Sequence, residues 1–316
     1  MGCTEEEYNR IVKTVNQQVQ YNGWFISDNV RMSLRALGEQ LVIDKLNSWG
    51  GGQYSDTSKK ILVVMAGNIP LVGFHDFLTV LISGHSVACK LSSDDNKLLP
   101  ELAGLLLQFV PELKQRIEFV AGKATGFEAV IATGSDNSAT YFELYFGSYP
   151  HVFRKNRTSI AVLDGTESQE EMSRLGDDVF SYFGLGCRNV THLMVPKGYD
   201  LNKFFSGIHA HSEVINNNKY GNNYDYNKAV YLMNQHQLLD NNFVLLRESD
   251  ELFSPLSMIH YHYYVSEEEV ARYLEDHAEE IQVVVGKKYT DFGQAQRPAL
   301  DDYADGFDTL SWLNNL

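Results

Sequence analysis

The feature that most constrains this chain is a run of short apolar segments alternating with helical patterns between residues 60 and 133. Lys60 to Ala66 is an apolar run of buried-strand length, and Ser86 to Leu91, Ile117 to Val120 and Ala129 to Thr133 repeat it. Between them, Val72 to Ile82 and Leu98 to Val110 space their apolar residues as helices do. Strands alternating with helices predict βαβ units and a mostly parallel sheet, so the expected fold class is α/β. Ligands of such sheets bind beyond the carboxyl ends of the strands. The segments that matter are therefore Gly67-Asn68-Ile69-Pro70, Lys90 to Asp94 and Thr133-Gly134-Ser135.

Upstream, residues 4 to 48 read as amphipathic helices with a break at Tyr21-Asn22-Gly23, followed by a loop at Gly50-Gly51-Gly52. That loop is not a phosphate loop, because no Lys-Ser/Thr pair follows the glycines at the required spacing. Downstream a second α/β series starts with a strand at Ser159 to Leu163. A helix over Ser168 to Phe183 and a strand over Thr191 to Val195 follow. The domain change is placed near residue 157. N-terminal helices and a nucleotide-binding domain then occupy 1–157, and a second α/β catalytic domain with the C-terminal tail occupies 158–316. Asn216 to Tyr231, rich in Asn and Tyr, predicts a polar loop running into a helix, with no role legible.

With 316 residues the chain is long enough for two domains with sizeable cores. Its 26 basic and 41 acidic residues give a net charge of -15, which disfavours general nucleic-acid binding. An anionic cofactor then needs local basic patches, and Lys59-Lys60 and Arg154-Lys155-Asn156-Arg157 are two candidates. The longest apolar stretch, Ile61 to Val87, is broken by Asn68, His75 and Asp76, so no membrane span is expected. The N-terminus lacks the basic start and apolar segment of a signal peptide. Glu6 stands where a myristoylation pattern wants Ser or Thr. Three cysteines argue against a disulfide scaffold and for a reducing, cytoplasmic location. Cys89 reads as core. His209/His211 and His260/His262 lack the further ligands a metal site needs, and no metal is expected.

Phe183-Gly184-Leu185-Gly186-Cys187-Arg188-Asn189 sets one cysteine after two glycines and before an arginine. A thiol attacks as its thiolate, a neighbouring cation favours that form, and glycines let a substrate approach the backbone. An inert buried cysteine is the alternative.

In order along the chain come Gly67-Asn68-Ile69-Pro70-Leu71, Gly84-His85-Ser86-Val87 leading to Lys90, Thr133-Gly134-Ser135 and Cys187. Together they resemble the signposts of the aldehyde dehydrogenase superfamily. Within it the chain looks most like the LuxC-type acyl-CoA reductases, the fatty-acid reductases. The windows AGNIPLVGFHDFL (66–78), FRKNRTS (153–159), YFGLGCRN (182–189) and NNYDYNKAVYLM (222–233) carry this closer match.

The resemblance implies an aldehyde-dehydrogenase-like fold with a Rossmann-type nucleotide-binding domain. It makes Cys187 the nucleophile, and gives the side-chain amide of Asn68 and the backbone N–H of Cys187 the oxyanion. It places Lys90, Ser92 and Ser93 near the adenosine ribose, Thr133, Gly134 and Ser135 near the pyrophosphate, and Glu251, in Glu251-Leu252-Phe253-Ser254-Pro255, at the nicotinamide ribose. Enzymes of the superfamily that select NAD carry Glu at the position of Ser93. NADPH is therefore the expected cofactor, with NADH as the alternative. Arg154 to Ser159 stands where hydrolytic members carry a Glu-Leu-Gly-Gly segment, and it holds no carboxylate.

The implied reaction is reduction of acyl-CoA to fatty aldehyde through a Cys187 thioester. An acyl-CoA or other acyl thioester is the implied substrate, and an acyl-protein synthetase or a second copy of the chain is the implied partner. Aldehyde or semialdehyde oxidation by the same thiol, and an idle acyl-binding subunit of a reductase complex, are the alternatives.

Overall fold

The computed structural model describes residues 4–50, 57–134 and 136–316. Gly51-Gly52 of the expected loop and the candidate Ser135 lie outside the described residues. The chain divides into two compact units, Met1–Asn156 with Ala299–Leu316, and Arg157–Pro298.

The first unit opens with helices α1 (Glu5–Tyr21), α2 (Ser27–Gln40) and α3 (Ile43–Gly50). Thr4 and Glu7 form a capping box at the start of α1. The helical stretch breaks at Asn22 as expected and again at Leu41-Val42. The α/β series follows as β1 (Lys60–Val64), α4 (Phe74–Ile82), β2 (Ser86–Lys90), α5 (Leu98–Phe109), β3 (Ile117–Phe119), β4 (Ala129–Thr133), α6 (Asp136–Phe146) and β5 (His151–Arg154). These five strands pair in parallel in the order β3-β2-β1-β4-β5.

β1 is apolar without alternation because it is covered on both faces. Ile61 and Val63 join Phe77, Val80 and Val87 on one side, and Leu62 joins Ala88, Val130 and Phe142 on the other. The chain leaves β1 toward β2 and β3, then returns to β4 on the other flank of β1. That reversal is the switch point where open α/β sheets bind their ligands.

The C-terminal segment, assigned by sequence to the second domain, belongs to the first unit. A helix over Thr309–Asn314 buries Leu313 in the same core as Val80, and His85 Nε2 bonds the Leu313 carbonyl at 2.9 Å. Arg154 explains the return. It is 5% exposed, and its Nη2 donates to Asp76 at 2.9 Å and to Thr309 Oγ1 at 2.6 Å. Its Nη1 donates to the Ala304 carbonyl at 2.7 Å. The basic run Arg154 to Arg157 is therefore no solvated cofactor patch: Arg154 is inside, and Arg157, on the second unit, donates to the Ile281 carbonyl. A buried charge that loses its counter-charge is costly. Asp76→Asn is expected to lower stability by about 2 kcal/mol, read by urea unfolding.

The second unit carries β6 (Thr158–Val162), α7 (Gln169–Phe180), β7 (Val190–Pro196), α8 (Leu201–Gly207), α9 (Asn218–Met233), β8 (Leu239–Asp240), β9 (Leu245–Glu248), β10 (Met258–Tyr264), α10 (Glu267–Asp276) and β11 (Ile281–Val285). Its sheet runs β11-β6-β7-β10-β9-β8, parallel except for β8 against β9. The Asn- and Tyr-rich stretch forms α9, whose polar side chains fasten the neighbouring loops. Tyr220 Oη donates to the Phe243 carbonyl at 3.0 Å, Asn227 Nδ2 to the Leu256 carbonyl at 2.8 Å, and Tyr224 Oη to Asp240 at 2.5 Å. Among the described residues no helix is long and apolar enough to cross a membrane.

Candidate active site

On the first unit, Asn68 sits in the turn that leaves β1, and its side chain is exposed. It does not cap α4, whose N-cap position is Gly73. The turn is fixed from below. Leu71 takes a left-handed φ of 61°, its N–H donates to Asp95 at 2.7 Å, and Ser33 donates to the Pro70 carbonyl at 2.9 Å. A left-handed leucine is strained and persists only where its surroundings hold it.

Gly67 brings this turn against the end of β2, since a Cβ there would lie 2.7 Å from Ser92 Oγ. Asn68, Lys90, Ser92 and Ser93 thus gather at the carboxyl ends of neighbouring strands. Thr133 and Gly134 stand at the end of β4 on the other flank of β1.

The Ser92 hydroxyl accepts the Asp94 N–H at 3.2 Å, which commits it to a cap, whereas Ser93 is exposed. Lys90 Nζ, partly exposed, lies 3.0 Å from the Gly122 carbonyl. Of the two acids after Ser93, Asp95 is turned inward onto Leu71 and only Asp94 faces solvent. An exposed hydroxyl and an ammonium at the carboxyl ends of parallel strands are groups that could hold a nucleotide.

On the second unit, Cys187 is half-buried in a turn between α7 and β7. The predicted helix to Phe183 stops at Phe180, and the reason lies downstream in Asn189. The wholly buried Asn189 amide donates to the carbonyls of Asp178, Val179 and Ser181 at 3.1, 3.2 and 2.8 Å. These include the orphan carbonyls of a helix end, which must find donors when buried. Its Oδ1 accepts the Gly186 N–H at 2.8 Å. Tyr182, Phe183 and Gly184 then run left-handed, with φ of 53°, 60° and 81°. Below the turn, Ser159 Oγ donates to the Cys187 carbonyl at 2.9 Å and accepts the Val283 N–H at 3.1 Å. The thiol thus rests on a backbone that helix, sheet and strain all hold in place. Cys89, by contrast, is core, with its thiol pushed up to about 12 by burial.

Glu251 lies past the end of β9. Its carboxylate pairs with Arg247 at 3.0 Å and is largely exposed. Its carbonyl is held by two imidazoles: His192, which sequence reasoning missed, donates through Nδ1 at 3.0 Å, and His260, weighed there only as half of a metal pair, through Nδ1 at 2.9 Å. His262 Nδ1 bonds His192 Nε2 at 2.6 Å. Burial, then the neighbouring His262, push His192 down to about 3, so it donates as a neutral imidazole, and burial lowers His260 as well. Parallel pairing of β7 with β10, His192 opposite His260, creates this arrangement. Among the described residues no three or more His, Cys, Asp or Glu side chains group as metal ligands.

Asp178, on the last turn of α7, accepts the Gly293 and Ala295 N–H groups at 2.6 and 2.9 Å. Arg188 donates to the Ala295 carbonyl at 3.4 Å, so this segment fastens both the helix end and the cysteine turn. Burial raises Asp178 to about 7 and Asp95 to about 6. A carboxyl that holds its proton more tightly when folded stabilises the fold at low pH. That contribution is lost as pH rises through the folded-state value. Unfolding free energy is therefore expected to fall between about pH 4 and pH 7, by up to about 1.4 kcal/mol per pH unit for each of the two carboxyls. Asp178→Asn flattens the slope, as urea unfolding at each pH will show.

No family model matches the sequence, and no curated protein does either. Solved structures do match. A candidate aldehyde dehydrogenase from Burkholderia cenocepacia superposes with a TM-score of 0.67 at 10% identity, over 92% of this chain and 73% of that one. Aldehyde dehydrogenase 21 from Physcomitrella patens, in complex with its reaction product succinate, gives 0.63 at 13% identity over 89% and 71%. An aldehyde dehydrogenase from Mycobacterium tuberculosis, complexed with NAD+, gives 0.62 at 12% over 89% and 69%. Such identities speak to the fold: this is an α/β chain of the aldehyde-dehydrogenase-like type, with a Rossmann-type first unit.

Proposed function

We propose that this chain is a nicotinamide-dependent oxidoreductase of the aldehyde/acyl level that reduces an acyl-CoA through a Cys187 thioester. The observation that carries this reading is the Cys187 turn, a half-buried thiol on a backbone held by Asn189 and Ser159 within an aldehyde-dehydrogenase-like fold. The Cys187 thiolate attacks the thioester carbonyl, forming a C–S bond as the bond to CoA sulfur breaks. CoA departs as its thiolate and takes up a proton. The Asn68 amide is the proposed donor to the oxyanion. Lys90, Ser93 and Gly134 would hold the dinucleotide, and Glu251 its nicotinamide ribose. A bound NADPH, or NADH as the alternative, supplies the hydride that takes the acyl group to the aldehyde level. Cys187 then leaves as thiolate and frees the aldehyde.

Reduction is favoured over hydrolytic oxidation by the segment from Arg154 to Ser159. It offers no carboxylate to activate water: Arg154 is locked onto Asp76, and Ser159 onto Cys187 and Val283. Aldehyde or semialdehyde oxidation is the second reading, favoured by the fold neighbours, which are aldehyde dehydrogenases. One experiment separates them. NADPH and NADH consumption is followed with acyl-CoAs of graded length, beside NAD(P)+ reduction with free aldehydes and no CoA. The reductase reading expects the first with NADPH preferred, and only background rates in the second. The reverse pattern establishes the oxidative reading.

A further inference from the structure

The second unit contains a cavity of about 220 Å³ whose wall includes Phe183, Gly184 and Leu185, the residues leading into the Cys187 turn. Tyr220, whose ring lies 6.3 Å from that of Phe183, lines it together with Val244 and Met258. None of its lining residues is charged.

The four hydroxyls in its lining are all spent on the protein. Tyr220 donates to the Phe243 carbonyl, Ser254 to the Met258 carbonyl and Ser257 to the Leu256 carbonyl. Thr191 is bonded to Thr158. A pocket with no charged side chain, whose hydroxyls already donate to the protein, offers a carboxylate no cation and favours a neutral, mainly apolar guest. A dry cavity of ~150 Å³ takes up one benzene ring, so about 220 Å³ holds, in proportion, about nine carbon atoms.

We propose that this cavity receives the apolar tail of the acyl group and sets its upper length at about eight to nine carbons. The proposal rests on the reductase reading for its substrate, and it narrows that substrate to neutral, medium-chain or aromatic acyl groups. It excludes acyl groups that end in a carboxylate, because no cation lines the cavity to receive one. Tyr220 forms part of the wall beside Phe183. Its ring is 2% exposed and α9 cannot yield there without losing the bond to Phe243.

Two measurements test this. The first is binding of octanamide, a neutral and unreactive probe, followed by thermal shift beside succinamate. Octanamide is expected to raise the melting temperature of the wild type. The rise is lost in Val244→Phe, which fills the cavity, and kept in Met258→Ala, which widens it; succinamate gives none. The second is turnover across acetyl-, butanoyl-, octanoyl-, dodecanoyl-, benzoyl- and succinyl-CoA. Octanoyl- and benzoyl-CoA are expected to exceed succinyl- and dodecanoyl-CoA at least about tenfold in kcat/KM, the factor a few misplaced methylenes command. Val244→Phe moves the octanoyl-to-butanoyl ratio down, and Met258→Ala moves the dodecanoyl-to-octanoyl ratio up.

An octanamide shift that is absent, matched by succinamate or intact in folded Val244→Phe overturns the proposal. So do chain-length ratios that neither variant moves. Octanamide binding without turnover of any acyl-CoA leaves the cavity assignment standing and removes the reductase reading.

Discussion

Cys187→Ala is expected to lower turnover by at least about a thousandfold while leaving the unfolding transition nearly unchanged. In the proposed reaction the thiol is the group that makes and breaks bonds to the acyl carbon. Cys89, the other cysteine among the described residues, is buried in the first core with its thiol held protonated by desolvation. The methyl group of alanine fits the same turn, because what shapes the turn is its backbone. Ser159 grips the Cys187 carbonyl and Asn189 grips the Gly186 N–H, and neither bond uses the cysteine side chain. Asn68→Ala should act differently. In the proposed reaction it removes one donor to a developing oxyanion, an expected loss of roughly 10²–10³ in rate, while Cys187 still becomes acylated. Steady-state rates and intact-mass measurements on the two variants distinguish the roles.

Asn189→Ala is expected to cost about 3–5 kcal/mol of stability and to remove activity as well. The single side chain closes the end of α7 and ties down the cysteine turn. Without it, the carbonyls of Asp178, Val179 and Ser181 and the N–H of Gly186 lose a partner in a region closed to water. A buried polar group left without a partner costs about 1–3 kcal/mol. The left-handed path through Tyr182 and Phe183 adds to the effect, since those conformations persist only while tertiary contacts impose them. Urea unfolding measures the stability, and the alkylation rate of Cys187 with iodoacetamide reports whether the turn still presents the thiol. Asn189→Asp is expected to be no better, because a carboxylate cannot donate to three carbonyls.

The first sheet was legible in the sequence because its central strands are buried on both faces and therefore apolar throughout. Their lengths also leave no room for helices. The positions of Asn68, Lys90 and Thr133 at strand ends followed from the same pattern, and a resemblance supplied the roles. What stayed hidden depended on contacts distant in the chain. Arg154 looks like one member of a basic run, yet Asp76 and Thr309 bury it. Helical spacing continued past Phe180, and nothing local announced that Asn189 would end the helix there. His192 and His260 became donors to one carbonyl only through the pairing of β7 with β10. An imidazole in an apolar strand could have been read as a sign of such a partner. The last residues of the chain carried no signal that they return to the first core.

The most direct test of the central claim is intact-mass and peptide mapping of the protein incubated with octanoyl-CoA or acetyl-CoA, with no nicotinamide cofactor present. The account predicts one acyl group attached to Cys187, released by hydroxylamine as a thioester is, with one equivalent of free CoA formed. The same treatment of Cys187→Ala gives no adduct. Absence of any acyl group on Cys187 in folded protein, or an equal adduct on the alanine variant, would contradict it.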